Sequence, residues 1–238
     1  MNALKNVDVV IISWAKDEDL KKTTRDGLDS LFNSSSDDIA FHAYIVESNR
    51  EVNYNEYNHT KWMHTATTIY PEDNVFGYHK YLNLGRNAGR SEYVVLCNND
   101  LTYEKNWADK IIDVMENNTS IMSASPWCPQ TQSSNTNFLG RVFNGYRVRG
   151  ELAGWCIFQR RSIYDTIGDL DEQFTHWYCD NDYGMTLQSK GIIHSLVCDS
   201  VVNHHDKMLG KTHEIFDRDY QNKTTFLQKE KFDKKWNL

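Results

Sequence analysis

Three apolar runs in this chain end on residues able to do chemistry. "VDVVIIS" closes on Ser13 and is followed by Trp14, "FHAYIVES" carries Glu47 at its end, and "EYVVLC" runs directly into Asn98, Asn99 and Asp100. In open parallel sheets ligands bind beyond the carboxyl ends of the strands, so strand-end polar residues are the first candidates for a site. Asp100 has two readings: a cap for the helix that follows, or an oxygen donor to a hard divalent cation. Just upstream, "LNLGRNAGRSEYVVLCNND" holds Gly85 and Gly89, which permit a tight turn beside a ligand, and Arg86, a planar cation suited to a nucleobase carbonyl or a phosphate.

The elements that must position these residues follow from pattern. The first run is short and β-branched, as suits a strand buried on both faces. Leu20, Thr24, Leu28 and Leu31 then fall on one helical face, with Asp17 as the cap. The next strand ends on Glu47, and strand, helix, strand implies a right-handed parallel crossover. From Asn49 to Tyr81 there is no clean period beyond one short strand near Thr67. Behind "EYVVLC", Trp107, Ile111, Val114 and Met115 form a helical stripe. "IMSAS" and "WCIFQ" read as strands. Ser162 with Asp165 has a capping-box pattern, and Gly168 is placed to end that helix. A second short helix is predicted from about Asp180 to Lys190, stopped by Gly191, before the strand "IIHSLVC". The last thirty or so residues form a charged tail.

The chain is 238 residues with 39% hydrophobic composition, enough for one α/β domain with a sizeable core. A formal net charge of -7 gives no general attraction to nucleic acid or anionic membrane, although a local basic groove stays compatible. No apolar run approaches the roughly 20 residues of a membrane span, so no transmembrane segment and a cytoplasmic location are expected. The five cysteines are odd in number and form no C-x-x-C pair, which argues for core positions and against a disulfide framework or zinc ribbon.

At "GRNAG" followed by "NND" the sequence resembles the GT-A glycosyltransferases, especially the family 2 group, in which an A-R-N-x-G segment precedes a strand ending in a metal-binding D-x-D. Downstream, "GWCIFQRRSIYDTIGDLDEQF" is similar to the family's acceptor-side signature, "CDNDYGMTLQSKG" to its E-D-x-D segment, "VVNHH" to the position of a metal-binding His, and "KFDKKWN" to a frequent C-terminal ending. These segments occur in family order across nearly the whole chain. Two residues depart from the pattern: Asn98 replaces the first acid of D-x-D, and Cys179 replaces the Glu of the E-D pair.

The resemblance implies a single GT-A, Rossmann-like domain with a mostly parallel central sheet flanked by helices. Residues 1 to about 100 would form a nucleotide-binding half, 101–205 an acceptor-side half and 206–238 a tail. It implies an inverting transferase that moves a sugar from a nucleotide sugar, expected to be a UDP sugar, to an acceptor hydroxyl. Charge builds on the leaving diphosphate, so a Mn²⁺ or Mg²⁺ ion is implied, with Asp100 and either His204 or His205 as protein ligands and His204 preferred. A His ligand favours Mn²⁺. Asp180 is the implied general base, and at a helix start its pKa is expected to be lowered. Ser13, Trp14, Glu47, Arg86 and Asn99 would line the nucleotide pocket, with Glu47 accepting from a pyrimidine ring N–H. Trp155 and Asp182 would meet the donor sugar or acceptor, and Trp155 also suits a core position. Arg141, Arg147 and Arg149 form either a solvated basic face or a grip on an anionic acceptor.

The acceptor is left open among a glycan, a lipid-linked saccharide, a protein side chain, a small molecule and modified DNA bearing a hydroxylated base. Two rivals stand beside the transferase. One is a non-catalytic nucleotide-sugar-binding module of the same fold, motivated by Asn98 and Cys179. The other is a nucleotidyltransferase, which would want a Gly-rich, Lys-containing loop after the first strand, and "SWAKDED" is not one.

Overall fold

The computed structural model describes residues 4–59, 63–73, 75–132, 138–205 and 218–238. Their strands are β1 (Lys5–Ser13), β2 (Ile39–Glu47), β3 (Thr65–Ile69), β4 (Tyr93–Cys97), β5 (Leu101–Tyr103), β6 (Ile121–Trp127), β7 (Val142–Asn144), β8 (Cys156–Arg160) and β9 (Ile193–His204). The helices are α1 (Glu18–Ser34), α2 (Tyr78–Ala88), α3 (Trp107–Asn117), α4 (Tyr164–Ile167), α5 (Cys179–Ser189) and α6 (Arg218–Trp236). Along the sheet the order is β3-β2-β1-β4-β8-β6-β9-β5, and β7 also pairs with β9.

The strands alternate their side chains between two cores, which is why β1 from Val9 onward and β4 read as apolar runs. On one face Val7, Val9, Ile11 and Val95 pack with Leu28 and Leu31 of α1 and with Trp107 and Ile111 of α3. On the other, Val10, Ile12, Val94 and Leu96 pack with Tyr81 and Leu82 of α2 and with Tyr183 and Leu187 of α5. Asp17 caps α1 as its position suggests, accepting from the Leu20 N–H at 2.8 Å.

The central sheet flanked by helices is as expected, and two local expectations, the glycine turn and the capping box, are corrected. The sheet is mixed: β1 pairs in parallel with β2 and β4, as β2 does with β3 and β6 with β9, but β8 runs antiparallel between β4 and β6, and β5 and β7 run antiparallel to β9. The glycine segment is not a turn. Gly85 lies inside α2, where a Cβ would collide with Val10 and Val46, and a Cβ on Gly89 would strike the Asp8 carboxylate. These glycines let the helix lie close on β1 and β2. The Ser162–Asp165 capping box does not form, since α4 begins from a 3₁₀ turn with no side-chain cap, although Gly168 does end it at φ +70°.

The tail includes α6, which docks through Phe232 and Trp236 against Phe174 and Cys179, while the Gln228 amide oxygen accepts from the Thr175 N–H at 3.0 Å. Residues 206–217 lie outside the described residues. Among those described, no helix is long and apolar enough to cross a membrane.

Candidate active site

Beyond the end of β4 the chain turns through Asn98, Asn99 and Asp100 and re-enters the sheet as β5. The antiparallel register of β5 with β9 sets Leu101 opposite His204, which brings residues about a hundred positions apart into contact. His204 Nε2 lies 3.3 Å from Asp100 Oδ1 and 3.3 Å from the Asn98 amide nitrogen. Its ring stacks on Trp155, centroids 5.2 Å apart and planes within 2°. His205 faces the other way, with Nε2 2.6 Å from the Thr102 hydroxyl. Of the two adjacent histidines, His204 is therefore the one beside Asp100.

Asp100 is buried and Trp155 is 7% exposed. Among the described residues the Trp155 indole N–H is buried and finds no acceptor, a condition that favours a ligand or water oxygen nearby. Asn98 accepts from the Tyr78 hydroxyl at 3.0 Å, so its amide oxygen is already engaged. No group of three or more His, Cys, Asp or Glu is arranged to hold a metal ion among the described residues. The pair of one carboxylate oxygen donor and one imidazole nitrogen fits a divalent cation that completes its shell with substrate phosphates and water.

Asp180 reaches the same end of the sheet from α5. Its Oδ1 accepts from the Asn181 N–H at 3.0 Å, and a Cβ placed on Gly154 would stand 2.8 Å from its Oδ2. Gly154 thus lets the segment before β8 close over the carboxylate. Tyr78 joins the two parts of the site, its hydroxyl 3.0 Å from both Asn98 Oδ1 and the Gly154 carbonyl. The expected direction of the Asp180 pKa is corrected. Desolvation by burial raises it, outweighing the N–H groups of Asn181 and Asp180 and the positive charge of Arg149, which lower it. Asp180 is the second residue of α5 and not its cap; the cap is Tyr178, at φ +62°.

Other predicted site residues are engaged with protein partners. Glu47 is fully buried and already used: Oε1 accepts from the N–H groups of Ala15 (3.0 Å) and Asn49 (2.8 Å), and Oε2 lies 3.3 Å from the Tyr54 hydroxyl. It staples the loop after β1. Ser13, paired with Glu47 in register, bonds to Thr24 at 2.9 Å. Asn99 donates to the same Thr24 hydroxyl at 2.9 Å. Trp14 is half-buried, with Lys16 Nζ 5.4 Å from its ring centroid.

Arg86 and Asp182 are engaged elsewhere in the protein. Arg86 sits near the far end of α2, some 12 Å along the axis from Tyr78 at about 1.5 Å per residue. There it pairs with Asp169 and lies 3.8 Å from the Tyr164 ring centroid. Asp182, two positions beyond Asp180, projects to another side of α5, where Lys235 Nζ (2.8 Å) and the Trp236 indole (2.9 Å) hold it. It anchors α6.

Sequence reasoning missed Tyr78, Gly154 and a buried relay centred on His194. In that relay His194 Nδ1 and the Tyr183 hydroxyl each lie 2.8 Å from Ser123 Oγ, and Gln159 donates to Tyr183 at 2.6 Å. His194 Nε2 lies 3.2 Å from the Glu151 carbonyl and 3.3 Å from Ser125 Oγ, which also accepts from the Ala153 N–H. The relay ties α5 to the chain just before Gly154. Burial pushes the His194 pKa down to about 4, so the ring is neutral. A histidine inside the largely apolar run "IIHSLVC" was the available signal.

No family model and no curated protein matches this chain. Solved structures do. GalNAc-T7, in a crystal structure with UDP, GalNAc and Mn²⁺, matches with a TM-score of 0.65 at 13% identity over 84% of this chain and 43% of that one. The fold is GT-A. A mannosyltransferase from Pyrobaculum calidifontis, PcManGT, in complex with GDP-Man and Mn²⁺, gives 0.61 at 12% identity over 90% of this chain and 58% of that one. S. aureus TarS (1-349) gives 0.57 at 11% identity, covering 88% and 64%. This GT-A chain therefore spans between 43% and 64% of the lengths of these three.

Proposed function

We propose that the chain is a nucleotide-sugar glycosyltransferase, inverting at the anomeric carbon, with a UDP sugar as donor and Asp180 as general base. The observation that carries the reading is the convergence at one end of the sheet of Asp100 with His204 and of Asp180 with Gly154. A GT-A fold offers such an end as a place where a nucleotide and an acceptor can meet, and two structural neighbours were solved with a nucleotide or nucleotide sugar and Mn²⁺.

In this reading Asp100 and His204 hold Mn²⁺, or Mg²⁺, with Trp155 fixing the imidazole plane. When bound, such an ion offsets the negative charge that develops on the leaving diphosphate. Trp14 and the backbone after β1 wall the nucleotide, and Glu47 and Ser13 hold that backbone in place without touching the ligand. Asn99 fixes the turn that presents Asp100. Asp180 takes the acceptor hydroxyl proton as the oxygen attacks. Its raised pKa suits that task better than an ordinary aspartate, because a stronger base receives the proton earlier. Trp155 supplies an indole N–H for a ligand oxygen and limits water entry beside the base.

A non-catalytic module is the second reading. Asn98 and Cys179 stand where acids are expected, and both are engaged, Asn98 with Tyr78 and Cys179 with the Phe174 carbonyl at 3.4 Å. Purified protein with Mn²⁺ and a panel of UDP, GDP, dTDP and CMP sugars separates the two by thermal shift and slow nucleotide release. Release from one donor supports the transferase. Binding without release, across all donors and with candidate acceptors present, leaves the module, and no shift for any donor refutes both. Asp100→Ala should abolish the metal dependence of nucleotide binding; unchanged metal titration would remove Asp100 from the site.

A further inference from the structure

The arginines of this chain are almost all neutralised internally. Of the nine whose side chains are described, five pair with carboxylates and two, Arg50 and Arg90, donate to backbone carbonyls. The remaining two, Arg141 and Arg149, are exposed, their guanidinium groups have no hydrogen-bond or ion-pair partner among the described residues, and both lie on the segment leading to Gly154. In a chain of net charge -7 this is a local cationic feature.

The turn that carries Arg149 is firmly built. Arg149 itself has φ +60°, a conformation that disfavours arginine. Its N–H donates to the Leu152 carbonyl at 2.9 Å, and the Arg147 carbonyl accepts from Gly150 (2.9 Å) and Leu152 (3.0 Å). Arg147 is itself used, in an ion pair with Glu151 at 3.1 Å. Behind the turn, the Glu151 carbonyl meets His194. The segment runs along α5, with Tyr146 and Leu152 against Gly184 and Gly154 against Asp180, which sets Arg149 on the rim beside the candidate base. Its charge is felt at Asp180.

We propose that Arg149 grips an anionic group, a phosphate or a carboxylate, on a saccharide acceptor and so selects acidic saccharides over neutral ones. A guanidinium binds either group through paired N–H donors. The assignment rests on reading Asp180 as the acceptor-side base. Two unpaired arginines on an acidic chain suit one or two charges on a saccharide better than the continuous polyanion of nucleic acid.

The test is binding, read by ligand-observed NMR on the full chain with UDP and Mn²⁺ present. The probes are trisaccharides bearing one uronic acid, trisaccharides bearing one phosphate, their neutral counterparts, and a single-stranded DNA oligonucleotide. Acidic trisaccharides should bind at least about tenfold more tightly than neutral ones, with the gap narrowing as salt rises. Whether phosphate or uronate binds better distinguishes the two sources of charge. Arg149→Asn, which tolerates the left-handed backbone, should remove the gap without altering UDP affinity, and Arg149→Lys should retain part of it. Equal binding of neutral probes, no binding of any acidic probe, a gap that survives Arg149→Asn, tighter binding of the oligonucleotide, or a loss of UDP affinity in Arg149→Asn would each overturn the proposal. Turnover is not part of the readout, so failure to release nucleotide from any donor counts against the transferase reading alone.

Discussion

Two buried aspartates show how differently this molecule treats a carboxylate. Asp8, in the first half of β1, receives Arg161 at 2.6 Å, the Ser91 hydroxyl at 2.6 Å and the Ser91 N–H at 2.9 Å. Asp180, at the other end of the sheet, receives only backbone N–H groups from the described residues, those of Asn181 and of Asp180 itself, while Gly154 and Tyr78 close around it. Asp182, two residues on, resembles Asp8: it is gripped by Lys235 and Trp236. A buried carboxylate with its lone pairs filled is a fastening. One that is desolvated and left short of donors has the character the proposed function asks of a base, and the contrast marks the end of the sheet where that proposal puts the chemistry.

The contrast can be broken by substitution, and the largest effect is expected at Asp8. Asp8→Ala leaves Arg161 without its counter-charge and opens space beneath Gly89, so it should cost about 3–5 kcal/mol in chemical denaturation. A loss near zero would place Asp8 among ordinary surface acids. His194 comes next, because it braces the segment over Asp180. Its folded pKa, about 4, lies below the roughly 6.5 of an unfolded histidine. Between those values the unfolded chain binds more protons, so stability falls as pH drops through that window, by about 2 kcal/mol from pH 7 to pH 5. His194→Gln should flatten that slope, and an unchanged slope would remove His194 as its source.

The smallest stability effect has the opposite sign. Burial raises the Asp180 pKa, so from the ordinary carboxylate range up to that raised value the folded chain binds more protons than the unfolded one. Stability therefore declines as pH rises through the window, and at neutral pH the ionised group is a net cost. Asp180→Asn should gain on the order of 1 kcal/mol at pH 7 while losing activity. A loss of stability at pH 7 would mean that Asp180 is as well paired as Asp8.

Much of the frame was legible because burial on both faces writes β1, β2 and β4 as largely apolar runs, and because Asp17, Gly168 and Gly191 mark helix ends through local geometry. Helix α2 was hidden. Three of its buried residues are polar, and each is matched by a distant partner: His79 by the Asp171 carbonyl, Asn83 by the backbone of Leu170 and Arg86 by Asp169. Their apolar period exists only once those partners are in place. Strand-end candidates were readable at Asp100. The contact with His204 depends on pairing β5 with β9, which no local pattern shows. The direction of the Asp180 shift was misjudged because the local helix-end effect loses to burial by segments far away in sequence.

The most direct measurement is nucleotide release from the donor that binds, compared among wild type, Asp180→Asn and Asp182→Asn, each first checked for folding and UDP affinity. If the under-paired aspartate is the base, Asp180→Asn should bind UDP normally and turn over at least about 100-fold more slowly, while folded Asp182→Asn stays within about tenfold of wild type. Near-normal turnover by Asp180→Asn, with Asp182→Asn equally active or more impaired, would contradict the reading.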